Sequence, residues 1–218
     1  MMPMTRGVLK SISRPATASI LFIENAVFCS AKLTLLLFPE TLSEYRKVVD
    51  TCQELFSRKT KDYGTSWRVL RLPSITDQIF IKAQRIRTIQ EKGMQKVEDS
   101  VRDEFVGIIN YCVIALIQIR LEGSARMEMT YDELAPLYQA VIDENIGLLQ
   151  NKNHDYGEAW RDMRVSSMTD IILMKLLRVK QIEDNDGKTV ASEGVRANYQ
   201  DIINYAVFCL ILLNQHVS

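Results

Sequence analysis

KTKDYGTSWRVLRLPSITDQIFIKAQRIRTI, residues 59–89, returns as KNHDYGEAWRDMRVSSMTDIILMKLLRVKQI, residues 152–182. At a constant offset of 93 the two stretches agree in Lys59/Lys152, Asp62/Asp155, Tyr63/Tyr156, Gly64/Gly157, Trp67/Trp160 and Arg68/Arg161. Agreement continues through Ser74/Ser167, Thr76/Thr169, Asp77/Asp170, Lys82/Lys175 and Arg85/Arg178. One inserted residue then shifts the offset to 94, and Ile108-Ile109-Asn110-Tyr111 pairs with Ile202-Ile203-Asn204-Tyr205. Upstream, Tyr45 pairs with Tyr138 and Asp50 with Asp143. This is a tandem duplication. A unit that cannot bury its apolar face alone covers it with its twin.

Each copy reads as three helices. Helix A opens at Thr41-Leu42-Ser43-Glu44 and again at Thr130-Tyr131-Asp132-Glu133, and helix B at Ser74-Ile75-Thr76-Asp77 and Ser167-Met168-Thr169-Asp170. All four have the spacing of a capping box, in which a hydroxyl and a carboxylate satisfy free N–H groups of the first turn. Along helix B, Ile79, Ala83, Ile86 and Ile89 recur at helical spacing, and Val101, Phe105, Ile108, Ile109, Cys112, Leu116 and Ile119 do so along helix C. The run IINYCVIALIQI, residues 108–119, is β-branched enough for a buried strand, but its length and its polar stripe favour a helix. The predicted fold is all-α: three-helix units at 41–121 and 131–216, joined by a linker over 121–130. They pack with pseudo-two-fold symmetry, as an isologous dimer does, into one helical bundle.

Composition agrees. The 218 residues include 47% apolar and 25% charged side chains, with only nine Gly and five Pro, which excludes disorder and disfavours a turn-dense β-sandwich. Twenty-seven basic residues against 27 acidic ones give no electrostatic case for nucleic acid or an anionic membrane. Cys29, Cys52, Cys112 and Cys209 form no metal-binding pair and read as reduced thiols, which sets the expected location in the cytoplasm. Residues 1–40 read as a flexible or mispredicted tail. Their apolar stretch from Ile20 to Phe38 is interrupted by Glu24, Asn25 and Lys32, which spoils it as a membrane span or a signal core.

Three groups of repeated residues can carry chemistry. In the loop between helices A and B, Asp62, Tyr63, Trp67 and Arg68 recur as Asp155, Tyr156, Trp160 and Arg161. Such a loop can stack a ring and grip a phosphate, or it can simply anchor itself in the core. On helix B, Lys82 and Arg85 share a face, as do Lys175 and Arg178, and suit either a phosphate clamp or salt bridges to helix C. On helix C, Asp99, Asp103 and Asn110 fall on one stripe, matched by Glu193, Asp201 and Asn204, with Tyr111 and Tyr205 following the asparagines. A row of oxygens suits Mg²⁺, or it pairs with the helix B cations inside the bundle. Nucleophilic catalysis has no repeated partner set, because the two histidines, His154 and His216, are unmatched.

The pattern K-x-x-DYG-x-x-W-R, then K-x-x-R, then an acidic helix carrying I-I-N-Y, resembles the nucleotide modification associated domain one family in tandem. More distantly it is similar to the MazG-type all-α nucleoside triphosphate pyrophosphohydrolases, which hold Mg²⁺ with acids on adjacent helices. These resemblances imply nucleotide binding and, through the second, Mg²⁺-dependent release of pyrophosphate. Tyr156 and Trp160 would then meet the base, and Lys175 and Arg178 the phosphates. Glu193 and Asp201 would hold the metal, with Asp155 as a further oxygen ligand or general base; Asp99 and Asp103 are the copy-one metal candidates. The expected partner is a nucleotide or another phosphorylated small molecule, with no membrane, and a homo-oligomer is compatible with it. The rival readings are a non-catalytic helical binding module, and a purely structural role in which the repeated polar residues tie the copies together.

Overall fold

Helical spacing prevails over β-branching throughout. The computed structural model describes residues 39–94, 100–189 and 193–215, without the side chains of Pro39 and Tyr156. Among them are six α-helices, two 3-10 turns and no strand. They are α1 (Pro39–Tyr63), a 3-10 turn (Ser66–Val69), α2 (Leu72–Lys92), α3 (Val101–Arg120), α4 (Tyr131–Tyr156), a second 3-10 turn (Ala159–Asp162), α5 (Val165–Asp184) and α6 (Val195–Gln215). The expected tail, apart from Pro39 and Glu40, lies outside the described residues, as do Cys29, Asp99 and His216. Cys52, Cys112 and Cys209 are free and buried.

Of the four predicted capping boxes only Thr130–Glu133 forms, at the start of α4. Helix α1 already runs through Thr41, so Thr41 and Glu44 are inside it and accept hydrogen bonds from Arg161 instead. Helix α2 starts at Leu72, two residues before Ser74, because Pro73 in its first turn needs no N–H partner. Thr76 and Thr169 sit within helices and donate to the carbonyls of Leu72 and Val165. A box that the sequence reading did not anticipate, Ser100 with Asp103, starts α3. Gly64 and Gly157 end α1 and α4 at φ +63 and 63, where any Cβ is strained.

Helices α2, α3, α5 and α6 pack in a ring, α2 on α3, α3 on α6, α6 on α5 and α5 on α2. Both copies supply one continuous core that includes Ile75, Ile79, Phe105, Ile109, Ile172, Leu176, Ile203 and Val207. Each fully buried Ile or Leu contributes about 1.5–3 kcal/mol. Helix α1 lies against α6 as well as its own α3, and α4 against α3 as well as its own α6. Two buried hydrogen bonds mark the pseudo-two-fold: Tyr45 of α1 donates to Asn204 Oδ1 of α6, and Tyr138 of α4 donates to Asn110 Oδ1 of α3, each at 2.9 Å. Each copy's first helix is thus tied to the other copy's last. No helix among the described residues is long and apolar enough to cross a membrane.

Candidate functional site

In copy one the repeated residues converge. The end of α1, the 3-10 turn after it, the middle of α2 and the first half of α3 enclose a cleft of about 560 Å³. Lys59 and Tyr63 come from α1, Trp67 from the turn, Lys82 from α2, and Asp103, Glu104, Gly107 and Tyr111 from α3. Trp67 is buried while Tyr63 is half exposed, so one wall offers an aromatic face and the rim another. Lys82 bonds Glu104 at 3.0 Å, and Arg85 pairs with the other oxygen of the same carboxylate. Glu104 is 5% exposed and therefore needs both cations. Gly107 makes this possible: a Cβ there would stand 2.8 Å from Lys82 Cε, so the lysine lies flat across the glycine to reach Glu104. Lys59 is exposed, and among the described residues it has no ion-pair partner.

Copy two has the same frame with a different interior. Asp201 stands where Gly107 stands in copy one, and takes both Lys152, at 2.5 Å, and Lys175. Burial opposes ionisation of Asp201, but the two lysine hydrogen bonds and their charge outweigh it and hold the carboxyl below its usual range. Asn198 stands where Glu104 stands, and Arg178, the counterpart of Arg85, is exposed with no ion-pair partner among the described residues. Phe208 replaces Ile114 and stacks on Trp160, ring centroids 4.3 Å apart and planes 8° from parallel. Tyr205 meets Phe208 edge-on.

Several candidates have structural partners. Arg68 is buried and holds the linker, donating to the carbonyls of Arg126 at 3.1 Å and Ser124 at 2.8 Å and to the Gln118 side chain. Arg161 lies over the Trp160 ring and bonds Thr41, Glu44 and Glu158. Asn110 accepts from Tyr138 and donates to the Cys52 carbonyl, and Asn204 accepts from Tyr45. Asp103 Oδ2 accepts from both the Ser100 hydroxyl and its N–H, and these bonds lower its pKa. Asp62 is exposed beside the linker groove; Asp155 is exposed against His154 at 3.1 Å; Glu193 is exposed ahead of α6. Asp99 and the side chain of Tyr156 lie outside what is described.

Among the described residues no three His, Cys, Asp or Glu side chains gather as a metal ion would need. Glu104 and Asp201 each sit between two cations, and Asp103 belongs to a cap, so these donors do not build a protein-only Mg²⁺ cage. Sequence reasoning passed over Glu104, Lys59 and Phe208 as site residues. Lys59 was visible as an identity. Glu104 and Phe208 were visible only as differences, Glu104/Asn198 with Gly107/Asp201 and Ile114/Phe208, and identity between copies filters differences out.

A family model described as nucleotide modification associated domain 1 matches residues 59–119 and again 152–213, together more than half of the chain. Both segments take in a DYG loop and the two helices after it, and leave most of α1 and α4 outside. No curated protein and no solved structure gave a match.

Proposed function

The chain belongs to the nucleotide modification associated domain 1 family in both halves, and on that premise we propose that it binds a phosphorylated nucleotide in the copy-one cleft. The observation that carries the proposal is the meeting, in one cleft, of Trp67, Tyr63 and Tyr111 with Lys59 and Lys82. Aromatic side chains stack a base, and two ammonium groups hold phosphate oxygens. At and beside the cleft three cations, Lys59, Lys82 and Arg85, stand against two carboxylates, Glu104 and Asp103, and Lys59 is outside the ion pairs among the described residues, which favours an anion. The cleft volume is that of a small-molecule site.

Binding without hydrolysis is the reading these donors support, since Asp103 and Glu104 are held by a cap and by cations. The test is a thermal-shift and calorimetric panel of NTPs and dNTPs, with and without Mg²⁺, with pyrophosphate release recorded alongside. A ligand at one hundred times its Kd raises stability by about 2.7 kcal/mol. Lys59→Ala should weaken binding while leaving the fold intact, because that side chain is exposed. No stabilisation by any member would end the proposal. Pyrophosphate release above background would overturn its non-catalytic part and favour the MazG-like reading.

A further inference from the structure

Half of the sixteen positions that line the copy-one cleft differ in copy two, and three of these differences are coordinated. Where copy one has the small Gly107, copy two has a carboxylate, Asp201, held between Lys152 and Lys175. Where copy one has Ile114, copy two has an aromatic ring, Phe208, lying flat on Trp160. The third difference, Glu104 against Asn198, moves the negative charge by one helical turn. An anion between two lysines and a planar ring stacked on a tryptophan are also the contacts the proposed ligand would make in copy one.

Resting on the nucleotide reading above, we infer that copy two is filled by its own ligand surrogate, with Phe208 in place of the base and Asp201 in place of a phosphate. Copy one therefore takes one ligand per chain, with its ring on Trp67 and an anionic group between Lys59 and Lys82. The surrogate also sets a length. Phe208 is seven residues beyond Asp201 on α6, about 10.5 Å along the axis. Both side chains lean the same way along the helix, so their functional groups keep roughly that spacing. In a nucleotide the sugar and α-phosphate already use part of this span. The group reaching the lysines is then an outer phosphate, and the ligand class is a nucleoside di- or triphosphate.

Calorimetry on the full chain tests this, using the tightest-binding member of the NTP and dNTP panel, its monophosphate, its nucleoside and inorganic tripolyphosphate. The wild-type chain should bind one equivalent of the triphosphate. The monophosphate should bind at least about tenfold more weakly, and so should the nucleoside and tripolyphosphate, each of which lacks one anchor. D201G/F208I should raise the stoichiometry from one to two, and G107D/I114F, which installs the surrogate in copy one, should reduce it to none. A folded D201G/F208I chain that still binds one equivalent overturns the inference, and so does a monophosphate or tripolyphosphate that binds as tightly as the triphosphate. If either variant fails to fold, as judged by circular dichroism, the ligand series on the wild-type chain still decides. A wild-type chain that binds no member of the panel defeats the nucleotide reading itself. Binding of one equivalent without a second site in D201G/F208I defeats only the surrogate.

Discussion

Tyr138→Phe should cost stability and leave ligand affinity unchanged. The Tyr138 hydroxyl is fully buried and donates to Asn110 Oδ1 at 2.9 Å, while Asn110 Nδ2 donates to the Cys52 carbonyl at 3.0 Å. Removing the hydroxyl leaves Oδ1 without a donor in a buried setting, which costs about 1–3 kcal/mol. For a chain of this size each kcal/mol lowers the melting temperature by about 2–4 °C. Asn110→Ala should cost more, because it strands the Tyr138 hydroxyl, removes the side-chain donor that the Cys52 carbonyl has beyond its helical one, and leaves a cavity. The double variant should cost less than the sum of the two, with a coupling of about 1 kcal/mol from urea melts. The cycle also decides whether Asn110, which borders the copy-one cleft, serves the ligand or the fold. A Tyr138→Phe chain that melts like the wild type but loses nucleotide binding would refute the assignment of this asparagine to the seam between copies.

Asp201, with its pKa depressed by Lys152 and Lys175, contributes stability that is present above the unfolded value near 3.9 and lost as pH falls through the lower folded value. Asp201→Asn should therefore be less stable than the wild type at pH 7, with the difference shrinking below about pH 4 in melts across pH. Glu183 is the opposite case: burial raises its pKa despite hydrogen bonds from Thr76 and Tyr199, so its ionisation opposes folding as pH rises. Glu183→Gln should raise the melting temperature at pH 7.5 and converge with the wild type at low pH. Arg68→Ala should release the linker, seen as faster limited proteolysis within residues 121–130, because three acceptors on Gln118, Ser124 and Arg126 lose their donor.

The architecture was legible because duplication supplies its own alignment. Identity at Tyr45/Tyr138 and Asn110/Asn204 pointed to residues that matter twice, and the pseudo-two-fold is built from those pairs. The same filter does not separate cleft residues from scaffold: Lys59, Trp67 and Lys82 pass it, and so do Arg68 and Asn110. Residues kept in both copies are those that both copies need, and both need a seam and an anchored loop. Arg68, Arg161 and the two asparagines serve these, although a guanidinium after a tryptophan reads equally well as a phosphate grip. Spacing alone did not fix the helix starts: Glu133 caps α4 while also pairing with Arg126. Thr41 and Glu44 fit the spacing of a box, but Arg161, distant in sequence, takes both. Nothing in the local sequence records that guanidinium.

The displaced acid offers a sharper test of how the two interiors relate. In each copy one carboxylate on the last helix meets the helix B lysine, Glu104 in copy one and Asp201 one turn later in copy two. Glu104→Asn alone leaves Lys82 and Arg85, whose side chains are 27% and 24% exposed, without their buried anion. Breaking a buried pair costs about 3–5 kcal/mol, and water reaching the two cations should reduce that to about 1–3. Gly107→Asp alone forces Lys82 aside, since its Cε would be 2.8 Å from the new Cβ. The combined E104N/G107D chain reproduces the copy-two pattern, with its carboxylate placed to take Lys82 and Lys59, as Asp201 takes Lys175 and Lys152. Arg85 then loses the Glu104 carboxylate. Its urea midpoint should lie above that of E104N, and its losses should fall short of the sum of the single changes by at least about 1 kcal/mol. Additive losses would mean that the two acids are unrelated accidents of drift. Recovery would mean that one turn of displacement on a single helix decides whether Lys59 is tied, as Lys152 is, or left to meet an anion from solution.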